Sequence, residues 1–154
     1  MITTAIGQIE DPKDRLVAFV LERQSFEGLK QRDDYVFTPF GVRHDNPLAA
    51  VGSVAGSLTI KARDLKPLPV IHVAGENDPL VKFTWQEATF VAVRRFNGCT
   101  DEGKPYAKEG VLEATLFPST KGAPLVTAIH HGGHEYAKGS SELIARFFKE
   151  NPRK

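Results

Sequence analysis

The sequence has little of what would assign it to a specialised class of protein. It contains a single cysteine, Cys99, so no disulfide can form within the chain, which fits a reducing compartment. Its 20 basic and 19 acidic residues leave a net charge of +1, which predicts neither a nucleic-acid nor a membrane-surface partner. No apolar run is long enough to span a bilayer. The 154 residues, 41% of them hydrophobic, therefore predict a single globular domain over residues 1–154.

Residues 1–15 also lack the basic region and the apolar stretch of a secretory signal. This absence predicts a cytoplasmic protein, or a chain from which a leader has been removed.

Short apolar runs alternate with amphipathic segments along the chain, which predicts an α/β fold with a largely parallel sheet. Two of these runs, Leu48–Ala55 and Pro69–Gly75, are apolar throughout and predict strands that are buried on both faces. Further strands are predicted at Val111–Phe117 and Leu125–His130, and Asp34–Thr38 is a short β-prone run.

Two helices are predicted in the second half of the chain. The first begins with the capping-box spacing of Thr84–Glu87 and ends at Asn97-Gly98. The second begins with Ser140 or Ser141 as its cap and carries an apolar stripe of Leu143, Ile144, Phe147 and Phe148. Near the N-terminus the pattern fits either a helix that begins near Asp11 or a strand at Leu16–Leu21.

Asp78 is the first candidate for chemistry, because it follows the buried strand that ends at Gly75. In open α/β sheets, ligands bind beyond the carboxyl ends of the strands, and this position places the carboxylate there. Pro79 favours a fixed turn that would hold the carboxylate in one direction. Taken alone, the segment fits a turn or helix-cap aspartate without chemistry better than a catalytic one.

His134 is the second candidate, since it follows the predicted strand Leu125–His130 and would reach the same edge of the sheet. A histidine oriented by a carboxylate is the base of a nucleophilic triad, and Asp78 before His134 fits the chain order of α/β-hydrolases. His130 and His134 also have a spacing that occurs in metal sites, but Gly132-Gly133 breaks the helix which that spacing requires. No metal or other cofactor is predicted, and a purely structural loop is the remaining alternative.

Several segments together resemble one family, the polyhydroxybutyrate depolymerase and feruloyl esterase group of α/β-hydrolases. They occur in a single order: Leu48–Ser57, Pro69–Val81, Arg95–Cys99, Gly132–Tyr136 and a final helix with Phe147-Phe148. The resemblance covers residues 45–154, as the C-terminal half of such a fold, and leaves residues 1–44 as a divergent or remnant segment. It implies a serine esterase in which Asp78 is the triad acid and His134 the triad base. It also implies a secreted protein, whereas the N-terminal sequence lacks a secretory signal.

The chain departs from this family at the nucleophile, because it contains no G-x-S-x-G elbow. When Asp34–Thr38 is aligned with the strand that enters the elbow, Pro39 replaces the first glycine and Gly41 replaces the serine. A second alignment places Ser25 at the nucleophile, although the glycine two positions earlier is missing. Ser53 and Ser57 lie on or after a buried strand and are predicted to be structural.

The first strands of the family and its oxyanion loop are also missing. Without these strands the sheet has an open edge, which predicts pairing between copies of the chain.

Two functions follow, and a third class is disfavoured. The first is hydrolysis of a small-molecule or polymeric carboxylic ester, with Phe83, Trp85 and Tyr136 either lining an apolar pocket or, as we expect, packing in the core. The second is a non-catalytic remnant of an α/β-hydrolase that acts as a binding domain. An unrelated small α/β binding domain would need a glycine-rich phosphate loop, and the sequence has none.

Overall fold

The computed structural model describes the backbone of residues 18–21 and both backbone and side chains of residues 49–57 and 67–152. These ranges contain six strands and two helices. In chain order they are β1 (Ala18–Leu21), β2 (Val51–Val54), β3 (Val70–Gly75), α1 (Phe83–Asn97), β4 (Lys104–Glu109), β5 (Leu112–Phe117), β6 (Leu125–His130) and α2 (Ser140–Glu150). The strands form one sheet in the order β1-β2-β3-β6-β5-β4.

The sheet is mixed, so the predicted α/β class is confirmed and the largely parallel sheet only in part. Strands β1, β2, β3 and β6 pair in parallel, whereas β6 with β5 and β5 with β4 pair antiparallel. Strands β4 and β5 are joined by a tight turn in which Gly110 has a φ of 59°. Such a short connection produces an antiparallel hairpin, because parallel neighbours require a long crossover.

The predicted strands at β2, β3, β5 and β6 are confirmed, whereas β4 was not predicted. Of the two alternatives near the N-terminus, the strand is correct for Ala18–Leu21 and the helix is wrong there. The β-prone run Asp34–Thr38 lies outside the described residues.

The two helices cover opposite faces of the sheet, because successive side chains of a strand point to opposite faces. Ile71 and Val73 of β3 lie in one apolar cluster with Ile144 and Phe147 of α2. Their neighbour Val70 lies in a second cluster, which contains Val93 of α1, together with Val51 and Leu125. The predicted stripe of α2 is buried throughout, and the described part of the chain has three layers.

The ends of the helices differ in part from the prediction. Helix α1 ends as expected, since Gly98 adopts the left-handed conformation with a φ of 63°. Its start is not a capping box at Thr84, because the N-cap is Lys82 and no side chain caps it. Helix α2 is preceded by Gly139 with a φ of 96°, so neither Ser140 nor Ser141 is the N-cap. Within the described ranges, no helix has the length and apolar character needed to cross a membrane.

Candidate active site

Asp78 lies in the turn that follows β3, and its carboxylate is held in a fixed direction. The side chain has no exposed area. Its Oδ1 accepts hydrogen bonds from the backbone N–H groups of Leu80, at 2.8 Å, and Val81, at 2.9 Å. An aspartate that bonds the backbone two and three residues ahead stabilises a turn, as Asp-Pro predicts. The turn directs the second carboxylate oxygen, Oδ2, away from these amides and towards other partners.

His134 lies in the loop after β6, and its ring reaches this second oxygen. Strands β3 and β6 pair in parallel, so both loops leave the same edge of the sheet. His134 Nδ1 is 2.8 Å from Asp78 Oδ2, across 56 residues of sequence. The imidazole is 21% exposed, whereas its carboxylate partner is buried. Sequence reasoning placed both residues at one edge, and the structure joins them in a hydrogen bond.

The two loops are also connected through their backbones. The N–H of Glu76 donates to His130 O at 2.9 Å, and the N–H of Asn77 donates to Gly132 O at 3.0 Å. The loops approach so closely at Gly75 that a Cβ there would meet the carbonyl oxygens of Gly132, at 2.7 Å, and of Gly133. Glycine is therefore required at the end of β3 if His134 is to reach the carboxylate.

The protonation of the pair follows from these contacts. Burial alone would raise the pKa of Asp78, but hydrogen bonds from Val81, His134 and Leu80 favour the carboxylate, and the net pKa is lowered. Asp78 is thus ionised at neutral pH and acts only as an acceptor. The proton between the two side chains must then sit on His134 Nδ1, which makes Nε2 the ring atom able to accept a proton from a nucleophile.

Sequence reasoning missed the buried support beneath Asp78. Gln86 of α1 has no exposed area. Its Nε2 donates to Val81 O at 2.8 Å and to Asp78 Oδ2 at 3.4 Å, and its Oε1 lies 3.3 Å from His72 Nε2. His72 lies on β3, and burial lowers its pKa to about 4, against the opposing effect of Gln86, so its imidazole is neutral at pH 7. One feature of the sequence could have indicated this role: Gln86 is a polar residue on the face of the predicted helix that packs into the core.

The other two histidines of the β6 loop contact that loop and its neighbour. His130 is buried, and its Nδ1 accepts a hydrogen bond from Gly132 N at 3.1 Å. His131 is exposed; its ring contacts the carboxylate of Glu76, and its carbonyl accepts a hydrogen bond from Asn77. Within residues 49–57 and 67–152, no group of three or more His, Cys, Asp or Glu side chains is placed to hold a metal ion.

Of the residues considered for the nucleophile, the structure describes only the two serines on and after β2. Ser25, Pro39 and Gly41 lie outside the described residues. Ser53 is buried on β2, and Ser57 follows that strand, half-buried.

The aromatic residues correct one expectation. Trp85 is 52% exposed and Tyr136 is 44% exposed, so packing in the core is wrong for both. Phe83 is half-buried, with its ring 6.4 Å from that of Phe90. Trp85 lies in the first turn of α1, and Tyr136 follows His134 by two residues. Both therefore belong to segments that follow the sheet edge on which Asp78 and His134 lie.

The chain was compared with known proteins by sequence. A scan against protein-family models gives no match, and a search of the curated proteins gives none either.

Proposed function

We propose that the chain is a carboxylic-ester hydrolase of the α/β-hydrolase type, in which Asp78 and His134 are the acid and the base of a nucleophilic triad. The observation that carries this proposal is the 2.8 Å contact between His134 Nδ1 and a buried, ionised Asp78. The side chains of a triad do the same: the carboxylate fixes the tautomer and orientation of the histidine and stabilises the imidazolium that forms during attack.

The order of residues and strands supports the same proposal. The acid follows β3, the histidine follows β6, and these strands belong to a run of four neighbouring parallel strands, β1-β2-β3-β6. In α/β-hydrolases the nucleophile precedes the acid in the chain and sits at a strand-to-helix turn. Strand β1 precedes both residues, and its carboxyl end lies at the same edge of the sheet.

This arrangement favours Ser25 over Gly41 as the position of the nucleophile. Ser25 follows Leu21, the last residue of β1, by four residues. It is the first serine after that strand in the sequence, and we therefore propose it as the nucleophile.

In the reaction that we propose, one proton moves from the serine to His134 and then to the departing alcohol. The serine oxygen would attack the acyl carbon of the ester while its proton passes to His134 Nε2, and the departing alcohol would take that proton. Water would then attack the acyl-enzyme and give a proton to His134 Nε2. The serine oxygen would take that proton as it leaves, and the carboxylic acid would be released. Asp78 stays ionised throughout and stabilises the imidazolium at Nδ1.

A fluorophosphonate that reacts with activated serines, followed by intact-mass analysis, tests the proposal. We expect a single adduct on the wild-type chain, which peptide mapping assigns to Ser25, and none on His134→Ala or Ser25→Ala. His131→Gln, which removes an exposed imidazole of the same loop, and Ser57→Ala are matched controls and should label normally. Hydrolysis of a small aryl ester should follow the same pattern.

Folded wild-type protein that neither labels nor hydrolyses the ester would contradict the proposal. The chain would then be a non-catalytic relative that keeps the acid–base pair without a nucleophile, and concentration-dependent association without turnover would support a binding role.

A further inference from the structure

We propose that Gln86 is a positioning residue for Asp78, and that His72 fixes the direction of the Gln86 amide. The inference rests on the proposed function, since it assigns the support of the triad acid. It is carried by a chain of buried contacts that runs from β3 through α1 to the carboxylate.

The direction of the amide follows from the acceptors that it faces. One end of the Gln86 amide lies against the carbonyl oxygen of Val81 and Oδ2 of Asp78. Both partners accept hydrogen bonds and have no proton to give, so the group that faces them is the NH₂, which has two protons. Gln86 therefore satisfies the turn carbonyl and the carboxylate at the same time.

The tautomer of His72 follows from the same argument. The amide oxygen Oε1 faces His72 Nε2, and an amide oxygen only accepts, so the ring proton must be on Nε2. His72 Nδ1 is then an unprotonated acceptor, and it is buried without a hydrogen-bond partner among the described residues. A buried acceptor without a partner is destabilising, which is difficult to explain if His72 serves only to fill space.

The contacts of Asp78 Oδ2 show how Gln86 can affect His134. Asp78 Oδ1 is held by two backbone N–H groups, whereas Oδ2 is bound by the side chains of Gln86 and His134. From its contact of 3.4 Å with Oδ2, we expect the N–H of Gln86 to help stabilise the buried charge and to limit the rotation of the carboxylate, and both effects would influence how His134 is held. Gln86 acts through Asp78 and does not contact His134 in these bonds.

The test compares Gln86→Met, which keeps the volume and removes the donors, with Asn97→Leu. Asn97 is a buried amide of the same helix that donates to Leu68 O at 2.7 Å. It lies eleven residues further along, or roughly 16 Å along the helix axis. Both changes remove a buried amide from α1, so a merely structural loss should be similar in the two variants.

The readouts are the pKa of Asp78, from the pH dependence of its carboxyl carbon resonance, and the downfield N–H resonance of His134. In Gln86→Met we expect the pKa of Asp78 to rise above the wild-type value and the His134 resonance to move, with no change in Asn97→Leu. In an active enzyme, kcat should fall by roughly tenfold or more while KM stays within about twofold. If Gln86→Met does not fold, Gln86→Asn withdraws the amide by one methylene and should give the same shifts.

Unchanged resonances in a folded Gln86 variant would overturn the inference. Both resonances can be measured without turnover. If the wild-type chain is inactive but the shifts occur, the proposed function fails and the role of Gln86 in holding the carboxylate stands.

Discussion

Gly75→Ala should separate the acid from the histidine without touching either residue. The new Cβ would lie 2.7 Å from Gly132 O, close to Gly133 O, and 3.0 Å from His130 Cε1. Two of these neighbours are backbone atoms of the loop that carries His134, and they can yield only if the whole loop moves. The change therefore acts on the distance between the two side chains as well as on packing.

The magnitude follows from the cost of overpacking. Forcing a methyl group against backbone costs about 1–3 kcal/mol, which in a chain of this length lowers Tm by roughly 2–12 °C. If His134 is the base that we propose, a displacement of its ring by about 1 Å would lower kcat by roughly a hundredfold. Activity should thus fall much further than stability does.

Gly133→Ala is the matched control, since it adds the same methyl group to the loop beside His134. A Cβ at Gly133 would make ordinary contacts, at 3.6 Å to Glu135 and 3.7 Å to Asn77 and Pro79. We expect a Tm close to that of the wild type and nearly full activity, measured by thermal unfolding and by hydrolysis of an aryl ester. If Gly75→Ala is tolerated as well as Gly133→Ala, the close approach of the loops at Gly75 does not hold the site together.

Three further predictions concern charge and packing. His72 has a pKa of about 4, below the ordinary 6.5, so the unfolded chain binds a proton first as the pH falls. Stability should decrease by about 3 kcal/mol between pH 6.5 and 4, and urea unfolding of His72→Phe should lack this decrease. Asp78→Asn should lower kcat by about 10⁴-fold, because an amide that donates to Nδ1 imposes the wrong tautomer on His134; ester hydrolysis near the wild-type rate would argue against the triad. Phe147→Ala should cost about 3–5 kcal/mol in urea unfolding, since Phe147 is 1% exposed, whereas the exposed Trp85→Ala should cost much less.

Much of the fold was predictable because its central strands are apolar. Strands β2, β3 and β6 are buried, and continuous apolar runs are typical of strands covered on both faces. Strand β4 was missed because Lys104–Glu109 is largely polar, contains Pro105 and lies at the edge of the sheet, exposed along most of its length. Its place is determined by the hairpin with β5, which the sequence of β4 alone does not predict.

The site was predictable only where residues follow strands. Asp78 and His134 could be placed at one edge from their positions after β3 and β6, and the structure brings them together. Gln86 and His72 could not be assigned in this way, because their role depends on how α1 packs against β3.

The central place of β6 in the sheet has a consequence for biosynthesis. This strand is the last to leave the ribosome among those described, yet it pairs with β3 on one side and β5 on the other. Until it emerges, β3 and the β4–β5 hairpin each carry an unpaired edge in the nascent chain, where strands of other molecules can add. Chains stalled before Leu125 should therefore aggregate. Chaperones would have to shield both edges until β6 pairs between them.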